Sequence, residues 1–531
     1  MPPALDLPRE SSWTRYPVQD EDLDFLSNLL IEREAPLTTA ELSAALVERR
    51  WQRQADAARA AEPATSLVYR PGESFAEGQR VRFPLLGNSI GTIVGSRAGS
   101  NPDLGSFRVI QVKFPDGGGT REFASDLASH PLNAPEPEPA VEDARETPAA
   151  ALRRHSLAIE DELVQRLSAA PEIVRIAGRW FPKALLADIH EGHLNLAEAV
   201  LDVSAGGPLP TRSLLEHVEL PQGLDPVLAE FSLDYALQED ERFDEVGPAG
   251  QVLWFMRRLE PPEVLDPPQH LEPVAAIEER GAWTPELTAL ESELDDELSP
   301  LPTPAATQAE VVLPLIYPHW RAGTLPLSSR LRAMFPTAYE APRIRFILVD
   351  GHSGDKFPGW VVRGPRYVFG LAEWYRRYDV PVGGLVRVRI GDQPGEVVVE
   401  VVERRRRTEW IRTAIVRPDG QIGFTMLKQG VGTSFDERMI VGIVDPDALE
   451  QAWQRGSQRR LPADRLVQQV FLELAKLNPQ SAVHAQLLYS GVNVLQRLSP
   501  AAIFTQIVDR RRYAPVGDLY YRTLEGAGAS A

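Results

Sequence analysis

The chain contains no cysteine. That excludes a disulfide scaffold, a cysteine nucleophile and any zinc or iron–sulfur centre built on thiolates. It fits a reducing compartment, and a cytoplasmic location is the expectation. No run approaches the roughly 18 uninterrupted apolar residues of a membrane span, so no membrane partner is expected. Met1 to Glu10 lacks a basic segment followed by an apolar one, so no secretory signal is expected. No Gly-Lys-Ser/Thr phosphate loop occurs, and His190-Glu191-Gly192-His193 is one residue short of the zinc-protease helix motif. No cofactor, no metal and no catalytic residue are expected.

What is present is an ordinary globular composition. Of 531 residues, 43% are apolar and 25% charged, enough for several cores. The net charge of −19 argues against a nucleic-acid binder, but the charge is unevenly placed. Residues 331–531 hold 28 basic and 21 acidic side chains, a net of +7, which leaves −26 for residues 1–330. Local field rather than total charge decides whether a phosphate backbone is attracted.

The patterning predicts a multi-domain α+β chain: helix-turn-helix or winged-helix units, a small β-barrel, a second β-barrel domain and a helical C-terminal domain. Residues 20–60 read as a helix-turn-helix, with Leu23, Leu26, Leu29 and Leu30 at helical spacing, Pro36 as breaker and Thr38 or Thr39 as cap. Residues 67–133 read as a small barrel, with a turn at Pro115 to Gly119, and 134–150 as a linker. Residues 151–262 are mostly helical, and Phe243 to Leu259 reads as a wing around Gly247-Pro248. Residues 263–312 read as an acidic, proline-rich linker, with Glu291, Glu293, Asp295, Asp296 and Glu297 on a solvated face. Residues 313–445 read as the second β-barrel and 446–525 as helices. A short internal repeat is visible at an offset of 172: Leu29 with Leu201, Pro36 with Pro208, Leu37 with Leu209, Thr39 with Thr211 and Leu42 with Leu214.

The segment 343–428 is the candidate nucleic-acid binder, with 16 basic and 10 acidic residues. Its candidate contacts are Arg363, Arg366, Tyr367, Trp374, Arg376, Arg377, Arg404, Arg405, Arg406 and Arg407. Arginine offers planar donors to phosphates and guanine edges, and aromatics between arginines suit stacking on bases. The bland reading stands beside it: the aromatics pack in a barrel core and Arg404 to Arg407 form a solvated hairpin. Asp350 to Lys356 reads as a polar turn, with cation binding as the alternative.

Three resemblances follow from particular residues. Trp360-Val361-Val362, Tyr367-Val368-Phe369-Gly370, Trp374-Tyr375 and Pro381 to Val386 loosely resemble the pseudobarrel DNA-binding domains of plant transcription factors and some restriction enzymes. Gly78 to Gly87 followed by Gly91-Thr92-Ile93-Val94 resembles the Tudor/CarD-like barrels of RNA-polymerase-binding regulators and repair helicases, which implies a protein-binding barrel. Leu196 to Leu201, Gly207 to Thr211, Asp240 to Phe243 and Val252-Leu253-Trp254 resemble the HARE winged helix, a relative of the RNA polymerase delta subunit. Together these imply a non-catalytic transcription- or DNA-associated adaptor, with DNA or RNA and RNA polymerase or another protein as partners. The alternatives are a protein-only scaffold and the recognition component of a restriction or repair nuclease.

Overall fold

The computed structural model describes residues 17–61, 67–86, 89–101, 105–114, 119–133, 147–218, 220, 223–300, 308–457, 460–478 and 480–524. The turn expected at 115–118, most of the 134–150 linker and the stretch 301–307 lie outside these residues. The fold is mixed α/β, with several sheets, and the chain divides into two compact units, the main boundary falling between Leu185 and Leu186. Among the described residues no helix is long and apolar enough to cross a membrane.

One motif occurs in the first unit and recurs twice in the second. In the first unit it runs helix Asp20–Arg33, strand Leu37–Thr38, helices Thr39–Ala61 and Pro148–Ser168, then strands Ile173–Ile176 and Arg179–Pro182. Its sheet places the third strand between the first and second. In the second unit the same order and the same strand arrangement appear as helix Glu191–Val203, strand Leu209–Pro210, helices Thr211–Leu215 and Pro226–Glu239, and strands Phe243–Glu245 and Leu253–Met256. They appear again as helix Ala463–Ala475, strand Ala482–His484, helices Ala485–Leu495 and Pro500–Ile507, and strands Tyr513–Gly517 and Tyr520–Thr523. The C-terminal segment is therefore not purely helical, as its composition suggests, but carries a three-stranded sheet.

The register explains the short sequence repeat. Leu37 faces Trp180, Leu209 faces Trp254 and Val483 faces Tyr521. Two residues after the first member of each pair stand Thr39, Thr211 and Ala485. The buried indole of Trp180 donates to Thr39 Oγ1 at 2.9 Å, and that of Trp254 donates to Thr211 Oγ1 at 3.2 Å. A buried N–H without an acceptor is costly, and in both copies the threonine supplies an acceptor to the tryptophan. Where tyrosine replaces tryptophan, alanine replaces threonine. Leu42 and Leu46, Leu214 and Val218, and Leu488 and Val492 fill the same buried positions after the first strand. In the first helix the buried pairs are Leu26 and Leu30 against Ala197 and Leu201, so the sequence match of Leu29 to Leu201 is one residue out of step.

Leu26, Leu30, Leu42, Leu46, Leu163, Leu167 and Trp180 form one core. The helix-turn-helix at 20–60 is thus half of a motif completed by residues 148–182, and the boundary expected at 151 falls inside it. The small barrel is inserted between the second and third helices. It is a five-stranded sheet of Leu67–Val68, Arg80–Phe83, Ser89–Ala98, Arg108–Lys113 and Thr120–Ser125 in sequence order, the first pair parallel and the rest antiparallel. Tyr69, Phe83, Phe114 and Phe123 pack ring against ring inside it. Gly91 is required there, because a Cβ would stand 2.2 Å from Val112 Cγ1.

In the second copy Asp234 joins the threonine and tryptophan. Trp254 Nε1 donates to its Oδ1 at 2.8 Å and Thr211 Oγ1 donates to the same oxygen. Burial raises its pKa to about 7, against the lowering by these two bonds. The folded state therefore holds a proton that the unfolded chain releases near pH 4. This contribution is full below that pH and is lost as pH rises towards about 7, with a limiting slope of about 1.4 kcal/mol per pH unit. Asp234→Asn is expected to flatten the fall in melting temperature between about pH 5.5 and about pH 7, in thermal unfolding followed by circular dichroism.

The largest sheet is a curled half-barrel of seven strands. Its order is Glu310–Pro314, Leu385–Ile390, Glu396–Val401, Arg343–Asp350, Lys356–Val362, Tyr367–Phe369 and Thr324–Pro326. All neighbours are antiparallel except Arg343–Asp350 with Glu396–Val401. Alternation fits it: Ile344, Phe346, Leu348 and Asp350 are buried and Arg343 and Arg345 are not. The chain leaves this sheet directly into a long hairpin, Glu403–Val416 with Ile422–Thr433.

The acidic segment 291–297 does not form a solvated face. Of its acids only Glu293 stays exposed. Helix Pro285–Leu294 ends at Asp295 in the left-handed conformation, which turns the following carboxylates inward. Glu291 pairs with Arg280 at 2.7 Å, and Asp295 accepts from Ser328 Oγ at 2.5 Å. Asp296 and Glu297 meet the fully buried Arg497 at 2.5 and 2.7 Å. Net charge per segment cannot reveal this, because Arg497, the partner of Asp296 and Glu297, lies 201 and 200 residues away in sequence.

Candidate functional site

The ten residues expected to contact nucleic acid separate into groups. Tyr367 and Trp374 are core residues, 0% and 3% exposed. Tyr367 packs with Trp360, Val362 and Phe255 where the half-barrel meets the second copy of the repeated motif, and its hydroxyl donates to the Glu263 carbonyl at 2.5 Å. Trp374 lies in the half-barrel core. Neither ring has a free face for a base, so the bland reading holds for both.

Arg363 donates to the Ala341 carbonyl at 2.8 Å. Arg366 sits in a tight turn with φ of 60°, where its own carbonyl accepts from the Leu327 amide. Arg376 and Arg377 lie on the short helix Ala372–Arg377. Arg376 is exposed beside Glu373 at 3.5 Å, and Arg377 pairs with Asp355 at 2.9 Å and Asp350 at 3.5 Å. Burial would raise the Asp350 pKa, but hydrogen bonds from Tyr378 at 2.6 Å and the His352 amide at 3.0 Å outweigh it and hold the carboxyl below its ordinary value. The segment 350–356 is the turn between two strands of the half-barrel. Among the described residues no group of three metal-ligating side chains occurs.

Arg404 is committed within the protein. It donates to Glu409 at 2.9 Å and stacks its guanidinium over Phe435 at 4.3 Å. Arg405, Arg406 and Arg407 are exposed and lie together at the end of the long hairpin. A bulge between Glu403 and Arg407 breaks the pairing there.

Next to the bulge the two faces of the hairpin differ, while towards the turn both are covered, as Thr413 and Ala414 show. Ile411 is buried and Trp410 is 65% exposed. Trp410 faces Lys428, Thr408 faces Gly430 and Arg412 faces Met426 across the strands. Arg406 folds back over Gly430, whose missing side chain leaves space for it: a Cβ there would stand 3.2 Å from Arg406 Nε. The outward face therefore carries Arg406, Thr408, Trp410 and Arg412 on one strand and Met426, Lys428 and Gly430 on the other. None of these is acidic, and Glu409 points to the opposite face. Trp410 and Lys428 are absent from the residues singled out by sequence. Alternation puts Trp410 and Ile411 on opposite faces of the strand, but where both faces can be covered, as at Trp360 and Val361, it does not say which stays exposed.

The His190–His193 pair is local structure. His190 caps helix Glu191–Val203 by accepting from the Gly192 amide at 3.1 Å, and the two rings stack at 3.6 Å. Among the arginines 510–512, Arg512 lies 3.4 Å from Asp464, while Arg510 and Arg511 are exposed.

Comparison with protein-family models, with curated proteins and with solved structures finds no significant match to this chain.

Proposed function

We propose that this chain is a non-catalytic, nucleic-acid-associated adaptor that holds DNA or RNA on the long hairpin 403–433 and protein on its repeated helical motifs and small barrel. The observation that carries the reading is the cationic surface of that hairpin: Arg406, Lys428 and the exposed Trp410 on its outward face, with the exposed Arg405 and Arg407 beside them at the bulge. Cations in such a row attract a phosphate backbone even on a chain of net negative charge.

The repeated motif has the order and sheet arrangement of a winged helix, which supports the HARE resemblance and extends it to three copies. Their third helices favour protein contact. A groove-reading helix needs an exposed face able to approach phosphates. Pro148–Ser168 mixes Arg153, Arg154 and Arg166 with Glu160, Asp161 and Glu162, and Pro226–Glu239 carries Glu230, Asp234 and Glu239 with no basic residue. Pro500–Ile507 has six of eight residues buried, including Ile503, Phe504 and Ile507. The five-stranded sheet with its closely packed aromatic interior supports the Tudor/CarD-like reading of residues 67–133, for which RNA polymerase or another protein is the implied partner. The seven-stranded half-barrel with short helices Tyr317–Ala322 and Ala372–Arg377 supports the pseudobarrel reading of 313–445.

Fluorescence anisotropy with labelled oligonucleotides tests the proposal. The full chain is expected to bind at about 50 mM salt and to weaken linearly on a log–log salt plot, each phosphate contact adding about −0.7 to −0.9 to the slope. Absence of binding to single strands and duplexes alike leaves the protein-only scaffold as the better reading, and partners that survive nuclease treatment in co-purification then identify it.

A further inference from the structure

The hairpin carries a feature that cation attraction does not use. Trp410 is 65% exposed in the middle of a regular two-stranded segment, and burial against the protein does not account for that. Exposing so large an apolar ring to water is unfavourable by the ordinary hydrophobic measure. Its surroundings are polar and basic rather than apolar: Lys428 directly opposite, and Thr408 and Arg412 two residues away on its own strand. A hydrophobic protein partner would be matched by further apolar neighbours, but next to Trp410 this face offers the half-buried Met426, and Ala414 and Phe424 further along it are already buried within the protein.

The opposite strand is stripped of bulk beside the ring. Gly430 and Gly432 present no side chains, and Arg406 lies across them. No side chain rises from Gly430, diagonal to the indole, where Arg406 lies over the strand, and Lys428 stands directly across from Trp410. A planar ring with cations beside it matches a base with phosphates beside it. In a duplex the faces of the bases are stacked on one another and the grooves offer only their edges. An unpaired base offers its face, and stacking on an aromatic ring is tolerant of base identity.

We propose that the outward face of hairpin 403–433 is a binding site for single-stranded nucleic acid, in which Trp410 stacks on one unpaired base and Arg406 and Lys428 hold the phosphates beside it. This rests on the nucleic-acid reading above and narrows it to a substrate class. Arg405 and Arg407, which diverge from this face around the bulge, add charge without selecting single strands.

The test uses the full chain and three fluorescein-labelled probes: oligothymidylate and oligouridylate of about 15 nucleotides, a length spanning typical single-strand sites, and a mixed-sequence duplex of equal length. Both single strands are expected to bind more tightly than the duplex, and the ratio between them reports any preference for DNA or RNA. Trp410→Ala is expected to weaken single-strand binding by roughly 5- to 150-fold, the range equivalent to one stacked base, and to leave duplex binding unchanged. Trp410→Phe is expected to recover most of that loss. Because the ring is exposed, both variants are expected to melt with the parent, which separates loss of stacking from loss of fold. Binding of the duplex as tightly as the single strands, or a Trp410→Ala variant that binds single strands like the parent, overturns this inference. If the duplex is bound in that case and Arg405→Ala/Arg406→Ala/Arg407→Ala releases it, the broader reading survives alone. If none of the probes binds, the broader reading fails and this one with it.

Discussion

Arg497→Met is expected to destabilise the second unit by about 3–5 kcal/mol, the range for breaking a buried ion pair from one side. The Arg497 side chain is wholly inaccessible and its guanidinium is satisfied on several sides. It donates to Asn493 Oδ1 at 2.9 Å, the Leu498 carbonyl at 3.1 Å, Asp296 Oδ1 at 2.5 Å and Glu297 Oε1 at 2.7 Å. Around it the network continues. Tyr489 donates to Asp296, His319 lies 3.2 Å from Glu297, and the other ring nitrogen of His319 is 2.8 Å from Thr324 Oγ1.

The two carboxylates are not equivalent. Burial drives the Asp296 pKa up, and Arg497 does not fully offset it. Burial acts the same way on Glu297, but Arg497 and His319 overcome it and hold that carboxyl well below the usual range. Glu297 is thus the ionised partner, and methionine at 497 leaves it buried without its guanidinium while preserving most of the volume. Glu297→Gln in the Arg497→Met background is expected to restore part of the loss, since it removes the stranded charge. Urea denaturation of the four proteins in this cycle measures it. Additive effects of the two substitutions count against a coupled network.

Replacing Arg405, Arg406 and Arg407 together by alanine is expected to weaken binding to every probe. It is also expected to reduce the steepness of the log–log salt plot by about three, one for each arginine withdrawn from a phosphate. The three side chains are exposed, whereas Arg404 is tied to Glu409 and Phe435. Arg404→Ala is therefore expected to act through the packing of the hairpin on Phe435, lowering the melting temperature with little change in salt slope. A triple variant whose salt slope equals that of the parent shows that the phosphates are held elsewhere, with the exposed Arg510 and Arg511 as the next cations to test. Anisotropy titrations at four or more salt concentrations separate these results.

The repeated motif shows where sequence was informative and where it was not. Thr39 and Thr211 were legible as a pair because each accepts from a buried indole, and that requirement preserves a residue type at a fixed distance from a strand. The third copy was silent for the same reason. With Tyr521 in place of tryptophan, no acceptor is needed and Ala485 stands where threonine would. The first copy was read as a two-helix unit because the inserted barrel separates Ala61 from Pro148. Burial of Leu163 and Leu167 against Leu42 and Leu46 joins the halves, and packing across so long an insertion leaves no local periodicity to read. In the β region, alternation marks Arg345 to Val349 and Glu396 to Val402 as strands, close to the observed Arg343–Asp350 and Glu396–Val401. It did not say which face would be covered by another part of the chain, and that decided the fate of Tyr367.

The sequence by itself determined the local elements: the helices through their apolar spacing and the strands through alternation. It also determined the imbalance of charge between front and back, since that is a matter of counting. The tertiary structure alone decided which charges are used up internally. It turned an acidic stretch into buried partners for Arg280, Ser328 and Arg497, committed Arg363, Arg377 and Arg404 within the protein, and left Arg405, Arg406, Arg407, Trp410 and Lys428 facing water. The reason is physical: pairing and burial depend on distances in space between residues that stand anywhere from 5 to 201 positions apart in the chain, and a charge has the same sign in the sequence whether it is satisfied or exposed.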